Sequence, residues 1–136
     1  MQIKDIMSDP CICVQAGTSL TQVAEKMKHH NIGSIPVCNE AHEVVGIITD
    51  RDIVVRCIAE DEDPALKCAK DVMTSSVETV DASLDIAEAT RIMAQKQIRR
   101  LPVTEDNKVV GMVALGDMAT SCYGMESARA LTDISE

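Results

Sequence analysis

The apolar positions of this chain form short continuous runs that alternate with stretches of helical spacing. In the first half, short apolar runs predict strands over residues 11–14, 34–38 and 44–48. A helix that starts at Thr18 or Ser19 is predicted from apolar residues at i, i+3, i+4 and i+7, namely Leu20, Val23, Ala24 and Met27. A second helix is predicted over residues 50–59. The first half therefore reads as strand, helix, strand, strand, helix.

The same order of elements is predicted again in the second half, because the chain contains a tandem repeat. Apolar runs there predict strands over residues 77–80, 100–104 and 109–114, and helical spacing predicts helices over residues 83–96 and 115–122. The matched stretches are Lys4-Asp5-Ile6-Met7 with Lys70-Asp71-Val72-Met73, Pro36-Val37 with Pro102-Val103, and, after the loss of one residue, Val44-Val45-Gly46 with Val109-Val110-Gly111. We predict copy one over residues 1–59, an acidic linker over 60–67, copy two over 68–122 and a tail over 123–136.

Each copy has roughly 60 residues, which is too few to bury its own sheet and helices well. We therefore expect an α+β fold of two pseudo-symmetric β-α-β-β-α motifs packed through their sheets. That arrangement would create two related clefts between the copies, one for each glycine-to-aspartate segment.

The composition of the chain argues against several classes of function. The 136 residues carry a net charge of −9 and a single aromatic residue, a tyrosine. Nucleic-acid binding is not expected, because it needs a basic footprint and often aromatic stacking. There is no apolar run of about 20 residues and no apolar leader, so we expect neither a membrane span nor secretion. The cytoplasm is the predicted compartment, with reduced cysteines.

The segment from Gly46 to Asp52 is the candidate ligand site. A buried strand leads into it, Thr49 is a good N-cap residue, and Asp52 falls on the first helical turn. Hydroxyl and carboxylate groups beside free backbone N–H groups suit a phosphorylated sugar. Plain helix capping, which needs no ligand, is the alternative explanation of the same residues.

The repeated motifs resemble the cystathionine β-synthase (CBS) domain. They are Asp-Ile-Met, then Ile-x-x-x-Pro-Val, then Gly-Ile-Ile-Thr-Asp-Arg-Asp-Ile, over residues 1 to about 122. Two copies make a Bateman module, and stand-alone bacterial and archaeal pairs look most similar. The resemblance implies a regulatory, non-catalytic homodimer that binds an adenine nucleotide or S-adenosylmethionine and signals to a downstream protein. Asp52 would accept from the ribose hydroxyls, and Thr49 would bond a phosphate or sugar oxygen.

Copy two departs from this ligand motif. It keeps Asp117 but has Ala114 where the hydroxyl belongs, so we expect weaker binding there or none at all. Arg99 and Arg100 precede its Pro-Val pair and are the predicted phosphate partners; surface ion pairs with the acidic linker or tail are the alternative. The resemblance also implies an apolar slot for a base, built around Ile32, Ile35, Ile98, Val14 and Val80.

The sequence predicts neither catalysis nor metal binding, and one pair of cysteines leaves two alternatives open. No nucleophile–base set is visible, so we predict no enzyme activity. His29, His30 and His42 lack metal-ligand spacing with the cysteines, so no metal site is predicted. Cys13 and Cys38 end strands that would run side by side, which suggests either a redox pair or two buried free thiols. The alternative to a nucleotide sensor is a ligand-free structural or protein-interaction module, with or without a thiol response.

Overall fold

The structure is a computed structural model that describes residues 1–8 and 11–121, with the backbone alone for residues 119–121. It has an α+β fold with two three-stranded sheets, which confirms the predicted fold class. Cys122 and the predicted tail over residues 123–136 lie outside the described residues.

The two sheets have the same topology. The first sheet has the order β1-β2-β3 and the second has the order β4-β5-β6. In each sheet the first pair of strands is parallel and the second pair is antiparallel. The strands are β1 (Val14–Gln15), β2 (Ser34–Cys38), β3 (Val44–Thr49), β4 (Val80–Asp81), β5 (Arg100–Glu105) and β6 (Lys108–Ala114).

The four predicted helices form in the predicted order, the second of them irregularly, and two short helices were not predicted: the helix over residues 69–72 and a 3₁₀-helix over Ile3–Asp5. The described helices are α1 (Leu20–His30), α2 (Asp50–Ile53), α3 (Ala69–Val72), α4 (Ile86–Lys96) and α5 (Leu115–Ser121). A π-helix, Val54–Ile58, continues directly from α2, so the predicted helix over residues 50–59 is of two types. In α1 the Ser19 hydroxyl caps the start, and Asn31 ends the helix in the left-handed conformation.

The predicted first strand of each copy was displaced. Residues 11–14 and 77–80 were expected, but β1 is Val14–Gln15 and β4 is Val80–Asp81. Both strands pair in parallel with residues near the end of the neighbouring strand, as in the match of Val14 with Val37. The available partner backbone therefore decides where the strand lies, rather than the apolar run.

The chain forms two compact units, each with its own apolar core. One, here called the Thr49 unit, comprises Ile12–Val77. The other, called the Asp117 unit, comprises the described parts of Met1–Cys11 and Glu78–Glu136. In the Thr49 unit, α1 buries Leu20, Val23 and Met27, while Ala24 of the predicted face is exposed.

These units differ from the sequence repeats, because the opening segment of each copy belongs to the unit of the other copy. The segment Cys68–Thr74 opens copy two, yet Ala69 N–H donates to Thr18 O (2.9 Å) within the Thr49 unit. The segment Gln2–Ser8 opens copy one, yet Ile3 N–H donates to Leu84 O (2.9 Å) within the Asp117 unit. We call Gln2–Ser8 and Cys68–Thr74 the exchanged segments.

Each exchanged segment passes over a glycine in the last strand of its sheet. A Cβ on Gly46 of β3 would lie 2.5 Å from Met73 Sδ and 3.0 Å from the main-chain oxygen of Thr74. A Cβ on Gly111 of β6 would lie 2.6 Å from the main-chain oxygen of Ser8. The close approach of the exchanged segments therefore explains the glycine of the repeated Val-Val-Gly motif.

We predict that Gly111→Ala lowers the free energy of unfolding by roughly 1–3 kcal/mol, the usual effect of overpacking. Gly46→Ala should cost less than Gly111→Ala, because the thioether of Met73 can rotate away and the Ser8 backbone cannot. Urea denaturation followed by circular dichroism measures both effects.

The matched controls are Gly17→Ala and Gly116→Ala, where an added Cβ has no atom within 4 Å. A Gly111→Ala protein that unfolds at the same urea concentration as its Gly116→Ala control would contradict the close approach.

Candidate functional site

Thr49 and Asp52 form a reciprocal capping box where β3 passes into α2. The Asp52 N–H donates to the Thr49 hydroxyl oxygen (3.1 Å), and the Thr49 N–H donates to Asp52 Oδ2 (2.9 Å). Two of the free N–H groups at the helix start are thereby satisfied. The structure therefore brings Thr49 and Asp52 together as predicted. Helix capping alone is sufficient to explain their geometry.

The capping box leaves part of both side chains available. Asp52 uses Oδ2 for Thr49, and its Oδ1 faces Arg56 Nε at 4.0 Å. A carboxylate has about four lone-pair sites, so Oδ1 retains the capacity to accept from a hydroxyl. The Thr49 hydroxyl accepts from Asp52 and still carries its own proton as a donor. Donor and acceptor thus stand side by side at the end of the strand.

Arg56 was not among the predicted site residues. It lies one turn after Asp52, at the i, i+4 spacing that brings an acid and a base together on a helix. That spacing is readable in the sequence and could have identified Arg56. Its side chain is 52% exposed, whereas that of Asp52 is 15% exposed.

The equivalent position in the Asp117 unit keeps half of this arrangement. The Ala114 N–H donates to Asp117 Oδ2 at 3.3 Å, which mirrors the bond between Thr49 and Asp52. Ala114 has no hydroxyl to accept in return, as the sequence requires. The sheet-to-helix turn itself is preserved, since Leu115 N–H donates to Arg99 O as Asp50 N–H donates to Gly33 O.

Arg99 and Arg100 lie in the Asp117 unit, where Arg99 directly precedes β5 and Arg100 begins it. Both side chains are exposed. The ion pairs between described residues do not involve either arginine. The predicted phosphate role and the predicted pairing with the tail both stay predictions, since the tail lies outside the described residues.

The apolar residues predicted to line a base slot divide by burial. The side chains of Val14, Ile35 and Val80 are at most 4% exposed and belong to the two cores. They could offer only backbone to a ligand. Ile32 and Ile98 are half-buried at equivalent places in the two units, just after α1 and α4.

Cys13 and Cys38 line one surface cavity of the Thr49 unit, with a volume of about 290 Å³. Both thiols are reduced. Cys38 is opposite Gln15 in the parallel pair, so Cys13 lies diagonally from Cys38 by one repeat of the pleat. A disulfide needs Cα atoms within about 7 Å, which favours residues directly opposite each other. The redox pairing stays a prediction that this register does not favour.

The described part of the chain has neither a cluster of metal-ligating side chains nor a membrane-spanning helix. His, Cys, Asp and Glu side chains form no group of three or more placed to hold a metal ion there. Among the same residues, no helix is both long enough and apolar enough to cross a bilayer.

Comparison with known proteins places the two sequence copies in a family. A model of the CBS domain matches residues 3–58 and again residues 69–123. The CBS domain-containing protein YhcV of Bacillus subtilis is 38% identical over 134 residues, which is 98% of this chain and 94% of that protein.

Two solved structures are similar along most of the chain. The crystal structure of Hypoxic Response Protein I with two coordinated zinc ions has a TM-score of 0.82 and 34% identity, over 89% of this chain and 98% of that one. The CBS domain pair of protein MJ0100, in complex with 5′-methylthioadenosine and S-adenosyl-L-methionine, has a TM-score of 0.79 and 30% identity. That likeness covers 88% of this chain and 94% of the other.

We predict that Thr49→Ala lowers the free energy of unfolding by about 1 kcal/mol, because Asp52 N–H loses its acceptor. Thr49→Ser should keep wild-type stability. In copy two, Ala114→Ser should raise stability by up to about 1 kcal/mol, since it supplies the missing acceptor. Urea denaturation measures the free energy of unfolding of the three variants. Equal stability of Thr49→Ala and Thr49→Ser would contradict the role of the residue-49 hydroxyl as a helix cap.

Proposed function

Because the chain belongs to the CBS-domain family and carries two copies of the domain, we propose that it is a non-catalytic regulatory protein that binds an adenosine-type ligand at Thr49 and Asp52. The candidate ligands are AMP, ADP, ATP and S-adenosylmethionine. The observation that carries the proposal is the unused bonding capacity of Thr49 and Asp52 at the end of β3.

The proposed contacts follow from that capacity. The two ribose hydroxyls donate to Asp52 Oδ1, while Oδ2 keeps its bond to the Thr49 N–H. The Thr49 hydroxyl donates to a phosphate or sugar oxygen. Hydrogen bonds to a charged group contribute roughly 1.5–3 kcal/mol each when they are well made. The complex of protein MJ0100 with two adenosine derivatives supports this ligand class.

The Asp117 unit is proposed as the weaker position. Asp117 has the same N–H donor as Asp52, but Ala114 contributes no hydroxyl. The exposed Arg99 and Arg100 offer positive charge in this unit, so among the candidate ligands the phosphorylated ones would benefit most from it. A module that binds no ligand and acts only through protein contacts is the competing proposal, and one experiment separates the two.

We expect at least one of AMP, ADP, ATP and S-adenosylmethionine to raise the melting temperature of the full chain. A ligand at about 100 times its dissociation constant adds about 2.7 kcal/mol of stability. Asp52→Ala should abolish the shift, and Asp117→Ala should leave most of it. Differential scanning fluorimetry measures the shifts, and isothermal titration calorimetry checks the affinity.

Asp52→Ala also removes half of the capping box, so each variant is compared with its own ligand-free melting temperature. If millimolar concentrations of all four compounds leave the wild-type melting temperature unchanged, the ligand-free module is the better description.

We further propose that the protein is a homodimer that pairs through the π-helix. Val54, Val55 and Ile58 are 56%, 43% and 53% exposed and fall on one side of this helix. Adjacent exposed apolar side chains on a charged protein favour a protein contact over solvent. A second copy would cover the same three side chains on both partners.

Val54→Asp combined with Ile58→Asp should convert the dimer into a monomer, because the charges would be buried in the interface without a partner. Leu66→Asp is the control, since Leu66 is 82% exposed and lies outside the π-helix. Sedimentation equilibrium of the three proteins measures the mass. A dimeric double variant, or a monomeric wild type at high concentration, would contradict this interface.

A further inference from the structure

Arg56 joins the proposed ligand site to a second part of the Thr49 unit. Its Nη1 donates to the main-chain oxygen of Val72 at 2.9 Å, and its Nε lies 4.0 Å from Asp52 Oδ1. A guanidinium has five N–H donors in a rigid fork and can hold two acceptors at once. One side chain therefore contacts both the carboxylate proposed for the ribose and the end of α3.

Val72 is the last residue of α3, and α3 lies in the exchanged segment Cys68–Thr74. The carbonyl groups at the end of a helix have no partner within the helix, so Arg56 caps one of them. Beyond Val72, the segment is tied to β3 by the two backbone bonds between Ile47 and Thr74, both 2.9 Å. The chain then leaves the Thr49 unit at Val77 and continues into the Asp117 unit.

The start of the segment is held separately from Arg56. The Cys68 N–H donates to the Asp71 carboxylate at 2.8 Å, and this bond holds the pKa of Asp71 below its usual value. Ala69 N–H and Lys70 N–H donate to the loop before α1. The amino end of the segment is thus fixed by backbone bonds, and Arg56 acts on its carboxyl end.

Copy two shows that the exchange does not require an arginine. In the register that aligns Asp52 with Asp117, Arg56 corresponds to Ser121. Yet the other exchanged segment, Gln2–Ser8, makes the equivalent backbone bonds, and its Ser8 bridges to Met112 as Thr74 bridges to Ile47. Holding the segment in place does not account for Arg56, which is found in the copy with the intact ligand motif.

We propose that Arg56 is a positioning residue that transmits occupancy of the Thr49 and Asp52 site to the exchanged segment Cys68–Thr74. The inference rests on the proposed function and adds its regulatory output. A ribose that donates to Asp52 Oδ1 fixes the carboxylate on both oxygens. The half-exposed Arg56 is then held between a rigid Asp52 and the Val72 carbonyl, and the carboxyl end of α3 opens less often. Coupling of this kind needs ordering of one side chain and no change of fold.

The first test needs no ligand. Hydrogen exchange of the amides of Met73 and Thr74 is measured by mass spectrometry in wild type, Asp52→Asn, Arg56→Gln and the double variant. Arg56→Gln should exchange faster, by up to roughly tenfold, because it loses its charge-assisted bond to the Val72 carbonyl. Asp52→Asn removes only an ion pair at 4.0 Å and should exchange faster by a smaller factor. The double variant should exchange no faster than Arg56→Gln alone, because both changes act on one path. Arg51→Gln is the matched control, since Arg51 is an exposed arginine in α2, which continues directly into the π-helix that carries Arg56.

The second test adds S-adenosylmethionine, AMP or ATP to the full chain. The compound that binds wild type should slow exchange at Met73 and Thr74. Arg56→Lys should bind the same compound but lose most of this slowing, because an ammonium group cannot hold both acceptors in a fixed fork.

The outcomes separate the two proposals. Additive effects of Asp52→Asn and Arg56→Gln would overturn the transmission through Arg56, as would full ligand-induced slowing in Arg56→Lys. If no compound binds wild type, the proposed function fails, and the four-protein comparison still decides whether Asp52 acts on the segment through Arg56.

Discussion

The close approach of each exchanged segment to a glycine is the constraint on which the rest of the structure depends. Gly46 lets Met73 and Thr74 lie against β3, and Gly111 lets Met7 and Ser8 lie against β6. Only with these approaches can the backbone bonds between Ile47 and Thr74 form, and only then does α3 reach Arg56. A hydrogen atom in place of a methyl group thus determines how the strand that leads to Thr49 is covered.

The two copies share this scaffold and differ in the chemistry placed upon it. Both begin the last helix with an aspartate that accepts from the N-cap N–H, at 2.9 Å in one copy and 3.3 Å in the other. Only copy one adds the hydroxyl and the guanidinium, while copy two carries the paired arginines before its Pro-Val motif. The turn is therefore common to both copies, whereas the side chains placed on it differ.

Much of this was readable from the sequence. Apolar periodicity found the strands β2, β3, β5 and β6 to within one residue, because their burial is decided by the local alternation and length of apolar runs. The capping residues Thr49 and Asp52 were found because capping depends on neighbours three residues apart. The exchange was not found, since a repeat shows that two segments are alike and not which sheet each one joins. The bounds of β1 and β4 depend on distant backbone in the same way, and so does the contact of Arg56 with Val72.

The exchange also bears on how such a chain could arise. In a protein with a single copy, the opening segment would have no second copy to pack against. The glycine in the last strand of its sheet would have no segment covering it. In two such chains, the opening segment of each could pack against the sheet of the other, which is domain swapping between identical subunits. Fusion of the two genes would then preserve every contact while joining the partners covalently. The arrangement of Gln2–Ser8 and Cys68–Thr74 is what a swapped ancestral dimer would leave in a single polypeptide.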